Sequence, residues 1–142
     1  RDWSSDVCSS DLNNYLNNYS NNYSNTYSKI LINKNNNFEM YLIIWNPNSK
    51  SKIHDHPKSC IMKVLDGCLN EDLYLSIKTK NIDKSFTNKA LYLGTNKLNK
   101  NIVINRKRNK LLHKINNNYL EKCITLNIYS EPNYISNTYE LF

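Results

Sequence analysis

The sequence predicts an all-β domain folded as a small barrel or jelly roll, and three observations support this class. Short runs of β-type residues recur at roughly ten-residue spacing over most of the chain. Most of these runs alternate apolar and polar side chains at period two, and no segment shows a sustained helical period. Short strands in this pattern close into a barrel or pack as two sheets, because both arrangements protect the strand edges.

Six runs carry the strand prediction. The first is almost continuously apolar and predicts a strand buried on both faces, whereas the second ends at a turn glycine. The next three alternate at period two. In chain order the runs are Phe38–Trp45, Cys60–Gly67, Leu73–Lys78, Ala90–Gly94, Asn101–Arg106 and Lys122–Ser130.

The sixth run alternates most clearly, and its two faces differ in chemistry. One face is apolar and the other carries Cys123, Thr125, Asn127 and Tyr129. A polar face that ends in a tyrosine suits the lumen of a barrel holding a small ligand. The alternative is the solvent-facing side of an edge strand, and the pattern alone does not choose between them.

The N-terminal part of the chain differs from the rest. Residues 1–12, RDWSSDVCSSDL, lack the Asn, Lys and Ile bias seen elsewhere and resemble the translation of a common sequencing adapter. We interpret them as a non-native leader that replaces the native N-terminus. Residues 13–26 repeat Asn-Asn-Tyr at low complexity and predict a lead-in with little to bury. The folded domain is therefore expected to span residues 27–142.

Composition narrows the classes of function. The formal charge of +7 comes from scattered lysines, with one dense basic run at Arg106–Arg108, so no nucleic-acid partner is expected. No apolar run approaches the roughly 20 residues of a membrane-spanning helix, so no membrane partner is expected either. The four cysteines show no paired spacing, which favours reduced thiols in the cytoplasm. We expect a monomer.

The three histidines of the chain suggest a metal site. His54 and His56 are two residues apart, so on a strand they would project from one face. His113 lies in a second strand-like run. Three protein ligands on one face with open positions are typical of non-haem Fe(II) centres that bind substrate and oxygen together. The residues alone leave two alternatives open, a metal centre and histidines that bind nothing.

A resemblance to a known family adds to this pattern. The stretch H-x-H-x3-C-x6-G that begins at His54 resembles the first cupin motif, with cysteine where most cupins carry a glutamate ligand. H-x3-N at His113 resembles the end of the second motif. A cysteine at that position is similar to the cysteine dioxygenase family, as are Trp45, MKVLDGCLNEDLY from Met62 and LNIYSEP from Leu126.

The resemblance implies a cupin barrel and a specific chemistry. His54, His56 and His113 would bind Fe(II), and three neutral imidazoles would leave its full charge to favour a thiolate substrate. The expected reaction oxidises L-cysteine to cysteine sulfinic acid with O2. In this family the motif cysteine can form a thioether to a tyrosine, and the matching pair is Cys60 and Tyr129. The Tyr129 phenol would hydrogen-bond to substrate or oxygen.

The resemblance also implies substrate contacts, with departures from the family pattern. Tyr27-Ser28-Lys29 matches a Tyr-x-Arg in which the arginine clamps the substrate carboxylate, and lysine offers a point charge instead of a planar fork. Thr125-x-Asn127-x-Tyr129 matches Ser-x-His-x-Tyr. Asn48 replaces a motif glycine and is expected to adopt a left-handed turn. Two alternatives stay open, a dioxygenase for another thiol such as 3-mercaptopropionate and a metal-binding cupin without oxygenase activity.

Overall fold

A computed structural model describes residues 27–56, 58–83, 85–106, 111–133 and 135–142. Within these ranges the chain forms ten strands and no helix, which confirms the all-β prediction. The strands are β1 Tyr27–Lys34, β2 Phe38–Trp45, β3 Ile53–His54, β4 Cys60–Asp66, β5 Cys68–Lys80, β6 Phe86–Asn99, β7 Val103–Arg106, β8 Leu111–Asn116, β9 Cys123–Ser130 and β10 Thr138–Leu141. The predicted leader and lead-in (1–26), with Cys8, and the basic run beyond Arg106 lie outside the described residues.

The strands form two sheets, which we call the first and second sheet. The first has the order β1-β2-β9-β4-β7, and all of its neighbouring pairs are antiparallel. The second has the order β10-β3-β8-β5-β6 and closes into a barrel, because β10 pairs with both β3 and β6. The barrel prediction is therefore confirmed.

The apolar run of β2 is buried on both faces, as predicted. Ile43 and Trp45 belong to the main core cluster, which also contains Met62 and Cys123. The opposite face of β2 carries Leu42 and Ile44, which belong to a separate cluster with Ile30 and Ile124. Near-continuous burial explains why this strand lacks polar alternation.

Two turns adopt the left-handed backbone that their residues favour. Gly67 joins β4 to β5 with φ 76°, and an added Cβ would lie 2.7 Å from the Lys122 carbonyl oxygen. Glycine is therefore required there both for its backbone conformation and for its lack of a side chain. Asn48 has φ 63°, in agreement with the prediction for this position.

Two strand predictions need correction. The runs Leu73–Lys78 and Ala90–Gly94 are the middles of a much longer hairpin, β5 and β6. The two N-terminal histidines do not share a strand, since β3 ends at His54 and His56 follows it. Among the described residues, no helix has the length and apolarity needed to cross a bilayer.

Candidate metal centre

The three imidazoles converge on one point inside the barrel. His54 on β3 lies directly opposite His113 on β8 in the strand register. The Nε2 atom of His113 is 3.0 Å from Nε2 of His54 and 2.5 Å from Nε2 of His56. The potential ligand atoms of all three residues lie within 4.8 Å of one another. The backbone after β3 thus aims His56 at the same point although it is not on the strand.

Hydrogen bonds behind two of the rings fix which nitrogen faces inward. His54 Nδ1 donates to the Lys52 carbonyl oxygen at 2.8 Å, and His113 Nδ1 donates to Glu71 Oε1 at 2.8 Å. In the neutral rings both Nε2 atoms therefore carry lone pairs, and these face each other without a proton between them. A cation at this point relieves that repulsion, and outer hydrogen bonds of this kind are what orient histidine ligands to metals.

The donor set fits a divalent transition metal. Two ligand nitrogens that are each about 2.1 Å from one ion, at a right angle to each other, lie about 3 Å apart. The Nε2 atoms of His54 and His113 are 3.0 Å apart, which matches this distance. Imidazole nitrogen suits iron, zinc, copper and nickel, and it is a poor match for Mg²⁺ or Ca²⁺. The three histidines can therefore hold a metal of the first group.

His54 and His56 are held in the neutral form. Burial, followed by the charge of His113, lowers the pKa of His54 to about 4. Burial and the charges of His113 and His54 lower the pKa of His56 to about 2. Neutral imidazole is the form that binds metals, so both rings are available near neutral pH.

A buried ion pair stands behind His113. Glu71 on β5 is fully buried, and its Oε1 accepts a hydrogen bond from Arg106 Nε at 2.9 Å, while Arg106 Nη2 bonds to Oε2. Burial by itself would raise the pKa of Glu71, but the hydrogen bonds from His113 and Arg106 outweigh it and lower the pKa to about 2. Arg106 belongs to β7 of the first sheet and Glu71 to β5 of the second, so the ion pair joins the two sheets.

Cys60 and Tyr129 lie on the first sheet, facing the histidines. They are direct cross-strand partners of β4 and β9, and Arg106 is the partner of Cys60 on its other side. Both Cys60 and Tyr129 line the cavity next to the histidines. Burial raises the pKa of Cys60 to about 12, so its thiol stays protonated and does not compete as an anionic ligand.

Lys29 and Tyr27 enter the same cavity from β1. The Lys29 ammonium lies 3.8 Å from the ring centre of Tyr41 and 4.5 Å from that of Tyr129. Burial lowers the pKa of Lys29, against the opposing effects of Glu39 and Cys60. Tyr27 packs on Trp45 with ring centres 4.6 Å apart.

Thr125 and Asn127 occupy different layers of β9. Asn127 lines the cavity, whereas Thr125 is fully buried behind it. The Thr125 hydroxyl accepts from Trp45 Nε1 at 3.1 Å and donates to Asn127 Oδ1 at 2.7 Å. Thr125 therefore contacts Asn127 and holds it in place, whereas its predicted contact with the substrate stays a prediction. The polar face of β9 points into the interior, where Asn127 and Tyr129 line the cavity, and β9 lies between β2 and β4 in the first sheet. The interpretation of this face as the wall of a ligand cavity therefore applies, and the edge-strand alternative does not.

The cavity between the sheets is small. Its volume is about 70 Å³, which is room for several water-sized groups, and it is lined by both polar and apolar side chains. The second sheet contributes the histidines, and the first contributes the groups that face them. The described cysteines, Cys60, Cys68 and Cys123, are free thiols.

Sequence reasoning missed Glu71 and Arg106. A signal existed for Glu71, because it is two residues from Leu69 and shares its inward face. A carboxylate at an inward strand position needs a buried partner. Arg106 begins the basic run Arg106–Arg108, and nothing in the sequence around it indicates that it reaches the other sheet.

A family model for cysteine dioxygenase type I matches residues 6–141.

The chain belongs to the cysteine dioxygenase type I family.

Solved structures with similar folds are cupins and related proteins. A protein with a double-stranded β-helix domain from Klebsiella pneumoniae subsp. pneumoniae has TM-score 0.61 at 13% identity, covering 88% of each chain. A cupin domain from Bordetella pertussis has TM-score 0.51 at 11% identity, covering 75% of this chain and 95% of that one. A hydroquinone 1,2-dioxygenase has TM-score 0.55 at 10% identity, covering 78% and 67%. These likenesses show the cupin fold.

The cysteine dioxygenase family and the three-histidine site together support a cupin-type thiol dioxygenase. The family implies a small thiol and O2 as substrates.

Proposed function

We propose that this protein is an iron-dependent dioxygenase that converts L-cysteine to cysteine sulfinic acid. The reaction adds both atoms of O2 to sulfur, RSH + O2 → RSO2H, so no other reductant is consumed. The observation that carries the proposal is the convergence of His54, His56 and His113, with Cys60 and Tyr129 on the facing wall. The proposed domain spans residues 27–142, in a cytoplasmic monomer.

Each cavity residue has a proposed role. An Fe(II) ion bound by the three histidines would supply open coordination positions and one-electron chemistry with dioxygen. Lys29 binds the substrate carboxylate through one charge-assisted hydrogen bond, and its position over two aromatic rings limits where the ammonium can point. The Tyr129 phenol hydrogen-bonds to substrate or oxygen. Asn127, held by Thr125, and Tyr27, packed on Trp45, shape the remaining walls.

A thioether between Cys60 and Tyr129 is part of the proposal. Directly opposed residues on antiparallel strands have Cβ atoms about 5 Å apart, which is within reach of a sulfur bonded to the aromatic ring. Formation of the bond removes the thiol hydrogen and one ring hydrogen, and O2 accepts the two electrons and two protons.

Lys29 supports a second candidate substrate, 3-mercaptopropionate. A lysine ammonium binds a carboxylate as a point charge, whereas arginine binds it through two fixed hydrogen bonds. Lysine therefore sets the position of the carboxylate less strictly and gives less discrimination between thiols that carry this group. The chemistry at sulfur is the same for both substrates.

Iron content and oxygen uptake test the proposal. We expect one Fe(II) per chain after anaerobic loading, and oxygen consumption with sulfinate formation when cysteine is added. Parallel assays with 3-mercaptopropionate at matched iron loading decide the preferred thiol. Protein that binds iron but forms no sulfinate from either thiol would instead be a metal-binding cupin without oxygenase activity.

A further inference from the structure

A buried carboxylate, Glu71, lies behind the histidine cluster and pairs with Arg106, which also lines the cavity; the proposed reaction assigns neither residue a role. Glu71 lies opposite Ile115 in the register of β5 and β8, so His113 is its diagonal neighbour on the same face. On its other side Glu71 contacts Arg106, whose strand belongs to the first sheet.

We propose that Glu71 and Arg106 are positioning residues that set the tautomer and the orientation of His113. The inference rests on the proposed function only in that it treats His113 as a metal ligand. In this role both residues act through His113, and Arg106 does so from the wall of the cavity.

The argument starts from the hydrogen-bonding capacity of each group. A carboxylate only accepts hydrogen bonds, so the His113 Nδ1 that lies 2.8 Å from Glu71 must carry the ring proton. Nε2 is then left with its lone pair, directed at the other two histidines. Arg106 bonds to both oxygens of Glu71, and this two-point contact fixes the plane of the carboxylate.

Paired variants at Glu71 separate this role from simple packing. Glu71 Oε1 accepts from both His113 Nδ1 and Arg106 Nε, so in Glu71→Gln an amide oxygen at that position keeps both hydrogen bonds, and only the contact with Arg106 Nη2 is lost. Glu71→Met has a similar length but no oxygen, so His113 Nδ1 loses its acceptor. The ring proton is then free to occupy Nε2, the nitrogen whose lone pair a metal needs.

Imidazole NMR and cobalt titration of the full chain test the inference. In metal-free wild-type protein, ¹H–¹⁵N spectra should show His113 protonated at Nδ1, and Glu71→Gln should keep the proton there. Glu71→Met should shift the proton toward Nε2, and affinity for Co²⁺ should fall by about 10- to 100-fold in that variant, as is usual when the partner of a metal-binding histidine is lost. Adding Arg106→Met removes the charge that Glu71→Met leaves unpaired, and the double variant should show the same two changes.

The matched control is Asp66→Asn. Asp66 forms an exposed ion pair with Lys100, so its loss should leave the tautomer and the Co²⁺ affinity unchanged. A wild-type spectrum with His113 protonated at Nε2 overturns the inference, even if no variant folds. Folded Glu71→Met protein with an unchanged His113 tautomer and an unchanged Co²⁺ affinity does so as well. Wild-type protein with the expected tautomer but no affinity for Co²⁺ or Fe(II) would refute the proposed function and leave the positioning role standing.

Discussion

Lys29 is the residue on which substrate selection depends in the proposed site. Its ammonium is held over the rings of Tyr41 and Tyr129, and it lines the cavity opposite the histidines. The Tyr-x-Lys pattern pointed to this residue from the sequence, and the structure places it in the cavity. The carboxylate contact itself remains a proposal.

Replacing Lys29 tests that contact. Lys29→Met should raise KM for cysteine and 3-mercaptopropionate by about 10- to 100-fold, because one charge-assisted hydrogen bond contributes roughly 1.5–3 kcal/mol. Cysteamine, which has no carboxylate, should show little change and serves as the matched control. Lys29→Arg should shift selectivity toward cysteine. Equal effects of Lys29→Met on all three thiols in steady-state oxygen uptake would contradict the carboxylate role.

The Cys60 thiol gives a second prediction at this scale. Its raised pKa and its burial should make it unreactive toward iodoacetamide in the native, iron-free protein, since the thiolate is the reactive form. Cys68, which is partly exposed, should react first. Peptide mass spectrometry distinguishes the two sites. After exposure to iron and O2, Cys60 and Tyr129 should appear in one cross-linked species lighter by two hydrogens, and Cys60→Ser should abolish it.

At the scale of elements, the strands with strong apolar or alternating patterns were predictable. β2 has the predicted bounds, and β9 differs by one residue at its start. The start of β5 was missed because Asn70, Glu71 and Asp72 are poor strand formers. Their extended conformation is explained by their pairing with β8, which the local sequence does not reveal. Glu71 is tolerated because Arg106 and His113 satisfy it. Such compensation depends on residues distant in sequence and cannot be read from the strand itself.

The β4–β5 turn gives a prediction for stability. Gly67→Ala should lower the free energy of unfolding by more than about 1–2 kcal/mol, since alanine adds both a left-handed backbone cost and a clash with the Lys122 carbonyl oxygen. Asn101→Ala is the control, because Asn101 also has positive φ (71°) but already carries a Cβ. It should show only the backbone cost. Urea unfolding measures both, and equal losses would argue against the clash.

Glu39 on β2 predicts how stability depends on acid. Its Oε1 lies 2.7 Å from Lys34 Nζ and accepts from the Asn133 backbone N–H, and the Tyr41 hydroxyl donates to Oε2. The hydrogen bond from Lys34, followed by those from Asn133 and Tyr41, lowers the pKa of Glu39 from 4.5 to about 2. The stabilisation is therefore present above the unfolded pKa and is lost as pH falls toward the folded value.

The Glu39→Gln variant checks this acid dependence. Wild-type protein should lose stability between about pH 4.5 and pH 2 in part through Glu39, and the variant should show a shallower loss over that window. The matched control is Glu140→Gln, because Glu140 pairs with Lys89 but has a mostly exposed side chain. It should change the slope much less. Urea midpoints measured across this range give the result, and identical slopes for wild type and Glu39→Gln would contradict the assignment.

At the scale of the whole molecule, metal binding should be coupled to stability. The three histidines come from β3, the segment after it and β8, which are distant in sequence and meet only in the folded barrel. A metal that binds this arrangement and not the unfolded chain stabilises the fold by mass action. At about 100 times Kd the gain is about 2.7 kcal/mol, which should raise Tm by roughly 10 °C. Thermal unfolding of anaerobic protein with Fe(II) or Co²⁺ measures it.

Mg²⁺ and a histidine variant are the controls for that coupling. Mg²⁺ prefers oxygen ligands and should leave Tm unchanged at the same concentration. His56→Ala removes one ligand from the segment after β3 and should abolish most of the shift with Fe(II) or Co²⁺. A shift of wild-type size in that variant would mean that the stabilising metal binds elsewhere on the chain. A centre formed by His54, His56 and His113 would then no longer explain the metal dependence, and the thiol chemistry proposed for it would lose its support.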